Sequence, residues 1–296
     1  MSATKILREL LNRDKIVVAP GVFDGLSAIL AKQAGFPALY ASGGAIARSM
    51  GYPDIGLVTM TEVLSSIARI VDASKLPVIA DADTGFGGSW NVMRTVHEYA
   101  RIGVAGLHIE DQSFPKRCGH LQDKSLIPTE EMCAKIIAAK QGTDDPDFLI
   151  IARTDAIGVE GFESAIARAH AYSEAGADML FIEAPETVQQ IEDIAKFIPQ
   201  KKLINMFSGG KTPLVSVKRL KELGYNIVII PSDLQRAAIK GMQQTLDVIF
   251  RDGNSAAIEE HLTTFAEREK IIGTKDYLKM DEEQAAQAEA ICARKH

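Results

Sequence analysis

The chain is poor in cysteine: Cys118, Cys133 and Cys292 are its only three in 296 residues. They are odd in number and widely spaced, with no CxxC pair, so no disulfide framework is expected and a reducing compartment is. Long apolar runs are missing as well. None approaches the roughly 20 residues of a membrane span. The opening MSATKILRELLNRDKIVV has no apolar segment of the signal type. The expectation is a cytoplasmic protein with no membrane partner. Basic residues are also short, with 33 Lys and Arg against 39 Asp and Glu, a net charge of −6, and no Lys/Arg-rich run. A nucleic-acid partner needs a basic footprint, so none is expected. No Pro/Ser/Gly-rich linker divides the chain. No GxGxxG follows the first strand-like run, which argues against an open dinucleotide-binding sheet.

What is present is rhythm. Hydrophobic residues make up 46% of the chain, enough for a large core. Short apolar runs recur: KIVVAPG, ALYASGG, PVIADAD, AGLHIED, FLIIARTD, MLFIEAP, LINMFSG and NIVIIPSD. Their residue types suit strands buried on both faces. Segments of helical period follow them, such as EVLSSIARIVDAS and FESAIARAHAYSEAG, and several stop at a glycine: Gly35, Gly103, Gly176 and Gly224. Alternating strands and helices imply a parallel sheet with right-handed crossovers. Eight such units predict an α/β fold, a closed (β/α)8 barrel of the TIM type, over residues 1–296 as one domain. An open doubly wound sheet is the alternative. Before the first strand, Ile6, Leu7, Leu10 and Leu11 fall on one helical stripe. Residues 254–296 are helical and charged and have no place in the count. They are expected to be a C-terminal extension that packs on a neighbouring subunit or folds back on its own barrel.

A barrel carries its site at the C-terminal strand ends, and the apolar runs end in polar residues there. Strand two ends in Ser42-Gly43-Gly44, strand three in Asp81 and Asp83, and strand four in His108, Glu110 and Asp111. Strand five ends in Arg153, Thr154 and Asp155, strand six in Glu183, and strand seven in Asn205 and Ser208. Asp81 and Asp83 are two apart and are expected on one face of a strand. With Glu110 on the next strand they form an all-oxygen set of the kind Mg²⁺ or Mn²⁺ takes, and Asp54 in GYPDIG could add a fourth carboxylate. Helix capping or pairing with Arg and Lys is the competing reading of each acid. Ser42, Gly43 and Gly44 beside a metal would suit a substrate carboxylate, and Arg153 a second one through its planar fork.

Cys118 sits between Lys116-Arg117 and Gly119-His120. Cations on either side are expected to lower a thiol's pKa. A buried structural thiol and a zinc ligand shared with His120 are alternatives. The first wants an apolar setting, and the second lacks a further Cys/His pair. An acid–base or nucleophilic group in a lid running from Gln112 to Ile127 fits better. Cys133 lies on the apolar stripe of a helix.

KRCGH after HIEDQ, together with DADTGFGG, IARTDA and SGG…GYPDIG, resembles the isocitrate lyase/phosphoenolpyruvate mutase superfamily, nearest its 2-methylisocitrate lyase and 2,3-dimethylmalate lyase branch. The similarity runs from about Val17 past Pro231. It implies a barrel whose last helices are exchanged between subunits, usually in a homotetramer, and an Mg²⁺-dependent lyase. The substrate would be a small 2-hydroxy di- or tricarboxylate, cleaved by retro-aldol chemistry to pyruvate and a second carboxylate. The resemblance also implies that Asp81, Asp83, Glu110 and Asp54 hold the metal directly or through water. Ser42, Gly43, Gly44, Gly119, Arg153, Glu183, Asn205 and Ser208 would contact the substrate. Cys118 would protonate the departing carbanion, with Lys116, Arg117 and His120 meeting its charge. Tyr40 is a lesser candidate for moving the hydroxyl proton.

Two runs depart from the methylisocitrate pattern. Strand six reads FIEAP, where FPEA is usual, and strand seven reads NMFSGGKTP, where an Asn-x-Thr-Glu-Phe-Gly run is usual. Both lean toward relatives that cleave 2-alkylmalates, while LYASGGAIARSMGYPDIG leans back. Enzymes acting on oxaloacetate or phosphonopyruvate share this barrel and remain rivals, as does a barrel that only binds.

Overall fold

A computed structural model of the chain describes residues 1–121 and 123–293. Gln122 of the expected lid and the last three positions of the expected extension lie outside the described residues. The chain groups into two compact units, Met1–Ala237 and Ala238–His296.

The first unit is a closed barrel of eight parallel strands in sequence order. They are β1 (Val17–Val22), β2 (Leu39–Ala41), β3 (Val78–Asp81), β4 (Gly106–Glu110), β5 (Leu149–Thr154), β6 (Met179–Ile182), β7 (Lys202–Asn205) and β8 (Ile227–Ile230). β8 closes on β1 with Val17 opposite Ile227 and Ala19 opposite Ile229. All eight apolar runs of the sequence are therefore strands. The surrounding helices are α2 (Gly25–Gln33), α3 (Gly43–Ser49), α4 (Met60–Ser74), α5 (Ser89–Arg101), α6 (Thr129–Lys140), α7 (Phe162–Glu174), α8 (Val188–Phe197) and α9 (Val217–Glu222). Polar caps start several of them: Asp24 and Ser27 cap α2 reciprocally, and Thr59 and Glu62 do the same for α4. Gly35, Gly103, Gly176 and Gly224 follow helix ends with φ of 90°, 87°, 105° and 81°, the left-handed turn that a residue without Cβ makes at low cost.

Alternation along the strands sorts two apolar layers. Ala19, Tyr40, Ile79, Leu149, Ile151, Phe181, Leu203 and Ile229 fill the barrel. Val78, Ala80, Leu107, Ile109, Ile150, Ala152 and Leu180 face the helices. The first helix, α1 (Ala3–Leu11), puts Leu7 and Leu11 among the barrel-filling residues. Arg8 pins it by donating to the carbonyls of Asp147 and Phe148 and to Asp178 at 2.9 Å. Those partners precede β5 and β6, so α1 stoppers the N-terminal end of the barrel and leaves the other end for chemistry. Along the expected stripe Leu7 and Leu11 are buried, Leu10 is half-buried and packs against them, and Ile6 is half-buried.

The second unit is helical. It contains most of α10 (Asp233–Asp252), a 3-10 turn at Ala256–His261, α11 (Phe265–Ile272) and α12 (Thr274–Ala293). Its boundary falls at 238 rather than at the expected 254. No residue of α11 or α12 is buried. Ile239, Met242, Leu246, Ile249 and Phe250 recur at helical spacing and are all exposed, Phe250 by 94%.

Candidate active site

Strand parity builds the site. Residues two beyond the barrel-filling ones continue inward at the C-terminal ends, so Asp81 follows Ile79, Arg153 follows Ile151, Glu183 follows Phe181 and Asn205 follows Leu203. On β4 the outward residues are Leu107 and Ile109, which turns His108 and Glu110 inward. Opposite parity takes Asp111 and Thr154 to the outside. There Asp111 accepts from the Thr154 hydroxyl (2.7 Å) and from the Tyr172 hydroxyl on α7 (2.8 Å).

Asp83 departs from expectation. β3 stops at Asp81, and Asp83 has a φ of 47°, a left-handed conformation uncommon for a residue with a side chain. The turn folds Asp83 back so that its N–H donates to Asp81 Oδ1 at 2.9 Å. The two acids are brought together by this turn and not by a shared strand face. The Lys116 ammonium enters between them and the β2 loop. It pairs with Asp54, and with Asp83 at 2.6 Å, and its side chain is 5% exposed. Ser42 caps α3 by accepting from the Ala45 N–H. A Cβ on Gly43 would lie 2.7 Å from Asp81 Oδ2, and one on Gly44 would lie 2.6 Å from Asp54 Oδ2. The bare backbone at both positions is what admits the two acids.

Beneath them the Tyr40 hydroxyl donates to Asp81 Oδ2 at 3.2 Å and lies 2.9 Å from His108 Nε2. Burial drives the His108 pKa down to about 4, so the ring is neutral at neutral pH. Burial and then Asp81 push the Tyr40 phenol well above its ordinary value. Tyr40 therefore keeps its proton, which suits it to hold Asp81 and not to carry a proton away.

The acids are too many for their cations. Burial raises Asp81, but His108, Lys116 and Arg153 outweigh it and hold the carboxyl at about 2. Asp83 is lifted to about 6 by burial, with Asp81 and Asp54 adding to the rise and Lys116 opposing it. Burial raises Glu110 well above the carboxylate range despite Arg153 and Lys116. One oxygen of Glu110, Oε1, is buried with no hydrogen-bond partner. Among the described residues no three His, Cys, Asp or Glu side chains are grouped so as to hold a metal ion by themselves. A hard divalent ion does not need such a group, because Mg²⁺ keeps several waters and takes one or two carboxylates directly. An all-oxygen donor set, an orphaned carboxylate oxygen and a lysine ammonium in the midst of the acids fit such an ion.

The loop between β4 and α6 folds over this cluster. An antiparallel bridge joins Gln112 to Leu126 at its base. The structure separates the five residues of its KRCGH segment. Lys116 points to the acids. Arg117 turns outward to Asp123 (3.3 Å) and is about half exposed, so it is not brought to the site. Gly119 lies on the pocket, where an added Cβ would be 2.4 Å from Arg153 Nη2 and 2.7 Å from Glu183 Cγ. His120 Nε2 is 2.9 Å from Glu183 Oε1, and its Nδ1 accepts from the Lys211 N–H at 3.1 Å. Phe207 meets the His120 ring edge-on at 4.6 Å.

Cys118 reverses its expectation. Its pKa is raised, by burial first and then by Asp54, with the His120 N–H opposing. The flanking cations do not lower it, because Lys116 is engaged by acids and Arg117 faces solvent. The thiol stays protonated.

Arg153 is more constrained than the sequence suggested. Its Nε and Nη2 donate to Asp155 at 2.9 and 3.1 Å, and Nη1 meets Glu110 Oε2 at 3.1 Å. The edge expected to grip a substrate carboxylate is turned to Asp155. Asn205 Nδ2 donates to Glu183 Oε1 at 3.3 Å and leaves its own Oδ1 without a partner. Glu183 is pushed up by burial, but Arg153 and His120 more than offset this and keep it ionised. The side chain of Ser208 is exposed, and the residue contributes only its carbonyl, to Arg236, so it stands outside the cluster. His108 and Asp155, read from the sequence only as polar strand ends with no role of their own, and Lys124, which the sequence does not single out, also stand at the site. The strand parity that marks Glu110 marks His108 as well, whereas nothing in the sequence marks Lys124.

Residues 7–250 match the phosphoenolpyruvate phosphomutase family. The chain is similar to the 2-methylisocitrate lyase of Aeropyrum pernix, with 46% identity over 289 residues that cover 98% of this chain and 93% of the relative. It is similar to the 2,3-dimethylmalate lyase of Eubacterium barkeri, with 44% identity over 274 residues and coverage of 92% and 95%. A crystal structure of a 2,3-dimethylmalate lyase superposes with a TM-score of 0.90 at 37% identity, covering 96% of each chain.

Proposed function

The chain belongs to the phosphoenolpyruvate phosphomutase family, and on that premise we propose that it is a carbon–carbon lyase. Its substrate would be a 2-hydroxy di- or tricarboxylate, either 2-methylisocitrate or a 2-alkylmalate such as 2,3-dimethylmalate, and pyruvate would be one product. The observation that carries this reading is a protonated, half-buried thiol, Cys118, on a lid folded over an acid cluster with surplus negative charge. A retro-aldol cleavage needs stabilisation where an alkoxide forms and an acid where a carbanion departs, and these two features can supply them.

Asp81, Asp83, Glu110 and Asp54 would hold Mg²⁺, directly or through water, and the bound ion would supply the Lewis acidity that makes a 2-hydroxyl easier to ionise. The remaining steps fall to the chain itself. Ser42, Gly43 and Gly44 would receive the keto-acid end beside Asp81 and Asp54. Tyr40 and His108 would hold Asp81 in orientation. The Cys118 Sγ–H would give its proton to the carbon of the leaving fragment. The thiolate so formed would then face Arg153, which already counts among the charges acting on the sulfur. His120, Glu183 and Asn205 would line the pocket around the far end of the substrate, where the unpartnered oxygens Glu183 Oε2 and Asn205 Oδ1 can accept from a donor such as a hydroxyl or water. Lys116 would balance the acid cluster, and Arg117, facing solvent, is assigned no catalytic part.

We further place the enzyme in the cytoplasm, as a homotetramer assembled through the second unit. Three free cysteines and the exposed apolar stripe from Ile239 to Phe250 support these two readings. The test of function is pyruvate release in the presence of Mg²⁺ from 2-methylisocitrate, 2,3-dimethylmalate, isocitrate, oxaloacetate and phosphonopyruvate. Cleavage of a 2-alkylmalate or of methylisocitrate well above the other substrates is expected. Turnover of oxaloacetate or phosphonopyruvate alone would refute the reading.

A further inference from the structure

Lys124 is a buried cation with no part in the chemistry above. It lies on the returning limb of the lid, and its Nζ donates both to the Gly119 carbonyl at the lid tip and to Asp155 Oδ1, at 2.8 Å. Both side chains of this ion pair are sealed from solvent, at 3% and 0% exposure. Asp155 is the carboxylate that grips Arg153 through two bonds. Its own N–H is fixed by Asp111 Oδ1 at 2.9 Å. Gly119 in turn rests on Arg153 so closely that a Cβ would have no room. The contacts form a closed ring from Gly119 to Lys124, Asp155, Arg153 and back to Gly119. Each member of the ring belongs either to the lid or to the end of β5.

We propose that Lys124 is the latch of the lid, a positioning residue that fastens the Gly119 tip to Asp155 and so holds Cys118 over the site in the same arrangement that orients Arg153. It rests on the reading of Cys118 as the acid carried by that lid. The physical reason is the cost of leaving either partner alone. A buried carbonyl and a buried carboxylate oxygen share one ammonium, so opening the lid must return a charge and two acceptors to water at once. The lid therefore closes as a unit with the Arg153 clamp, and Cys118 is sheltered even without substrate.

Lid opening can be read without any substrate, from the rate at which iodoacetamide alkylates Cys118, resolved by peptide mass from Cys133 and Cys292. In Lys124→Met the Cys118 rate is expected to rise about tenfold or more, as the loss of a charge-assisted bond allows. The Cys133 rate is expected to stay unchanged. Removing a nearby cation by itself would raise the thiol's pKa and slow its alkylation, so a faster rate reports access and not electrostatics. Lys124→Arg, which keeps the donor charge, is expected to restore part of the protection. In turnover, kcat of Lys124→Met should fall much more than KM changes. An unchanged Cys118 rate, or an equal rise at Cys133, overturns the latch. If Lys124→Met does not fold, the same rates in Asp155→Asn decide, and there too an unchanged Cys118 rate overturns it. Failure to cleave any 2-hydroxy acid would sink the lyase reading and leave the alkylation result standing.

Discussion

Gly119→Ala adds a single methyl group at the point where the lid meets the pocket. The added carbon would sit 2.4 Å from Arg153 Nη2 and 2.7 Å from Glu183 Cγ, about 1 Å short of ordinary contact. The φ of Gly119 is not left-handed, so alanine meets no backbone penalty and the effect is purely one of space. Arg153 cannot easily give way, because two bonds to Asp155 and one to Glu110 hold it. The lid is the part that lifts. Overpacking of this kind costs about 1–3 kcal/mol, which would lower the closed population roughly 5- to 150-fold. A lid that closes but sits about 1 Å too high misplaces the Cys118 proton, and an error of that size can itself cost on the order of 10²-fold. Pyruvate release, followed by its reduction with a coupled NADH-dependent dehydrogenase, should show kcat down by about 10- to 100-fold. The thermal midpoint should be unchanged, since the lifted lid relieves the clash without unfolding the barrel. Full kcat in Gly119→Ala would refute the claim that closure over Arg153 and Glu183 is needed. So would a loss of activity that merely tracks a fall in the thermal midpoint.

Four further outcomes are expected. Cys118→Ser should lose at least about 10²-fold in turnover, since a hydroxyl is a far weaker acid, while substrate binding followed by calorimetry persists; full turnover would remove the thiol from the mechanism. Because burial and Asp54 raise the Cys118 pKa, the protonated form persists above the ordinary thiol range near 8.5, so the alkaline limb of the kcat profile that disappears in Cys118→Ser should lie above that value; a limb at or below it contradicts the assignment. Exhaustive treatment with EDTA should abolish turnover and Mg²⁺ should restore it, and Mg²⁺ should raise the thermal midpoint by offsetting the burial and, after it, the Asp81 and Asp54 charges that lift Asp83 to about 6; activity that survives EDTA would remove the metal. Asp155 is raised by burial but held at about 2 by Arg153 and Lys124, below its unfolded value near 3.9. Its contribution, of order 2–3 kcal/mol, is therefore present above pH 4 and lost as pH falls toward 2. Asp155→Asn should flatten that part of the acid-unfolding curve, and an unaltered curve would contradict the pairing.

Much of the site could be read before folding, because a strand has a period of two. Asp81, Glu110, Arg153, Glu183 and Asn205 each continue the inward set of a strand, and a barrel gathers such ends at one mouth. The same rule places His108 there and takes Asp111 and Thr154 to the outside. Asp83 lies beside Asp81 because a left-handed turn, and not a shared strand face, brings it back. Lys116, Arg117, Gly119, His120 and Lys124 lie on a loop, where no period constrains direction. Arg117 was expected inside beside Lys116 and faces solvent. Ser208 follows β7 on a similar loop and is exposed.

The sequence by itself determined the barrel, its eight strands in order, the helix stops and the mouth at which polar groups collect. These follow from local period, capping and the closure of a parallel sheet, each readable within a few residues. Only the tertiary structure decided the state of the charged groups. Whether Cys118 is a thiol, whether Arg153 is free or spent on Asp155, and where Lys116 and Lys124 point all depend on burial and on partners far apart in the chain. Lys124 meets Asp155 31 residues away, and Lys116 meets Asp54 62 residues away. In a low-dielectric interior such pairings outweigh sequence neighbours, and so the cations beside Cys118 do not set its pKa.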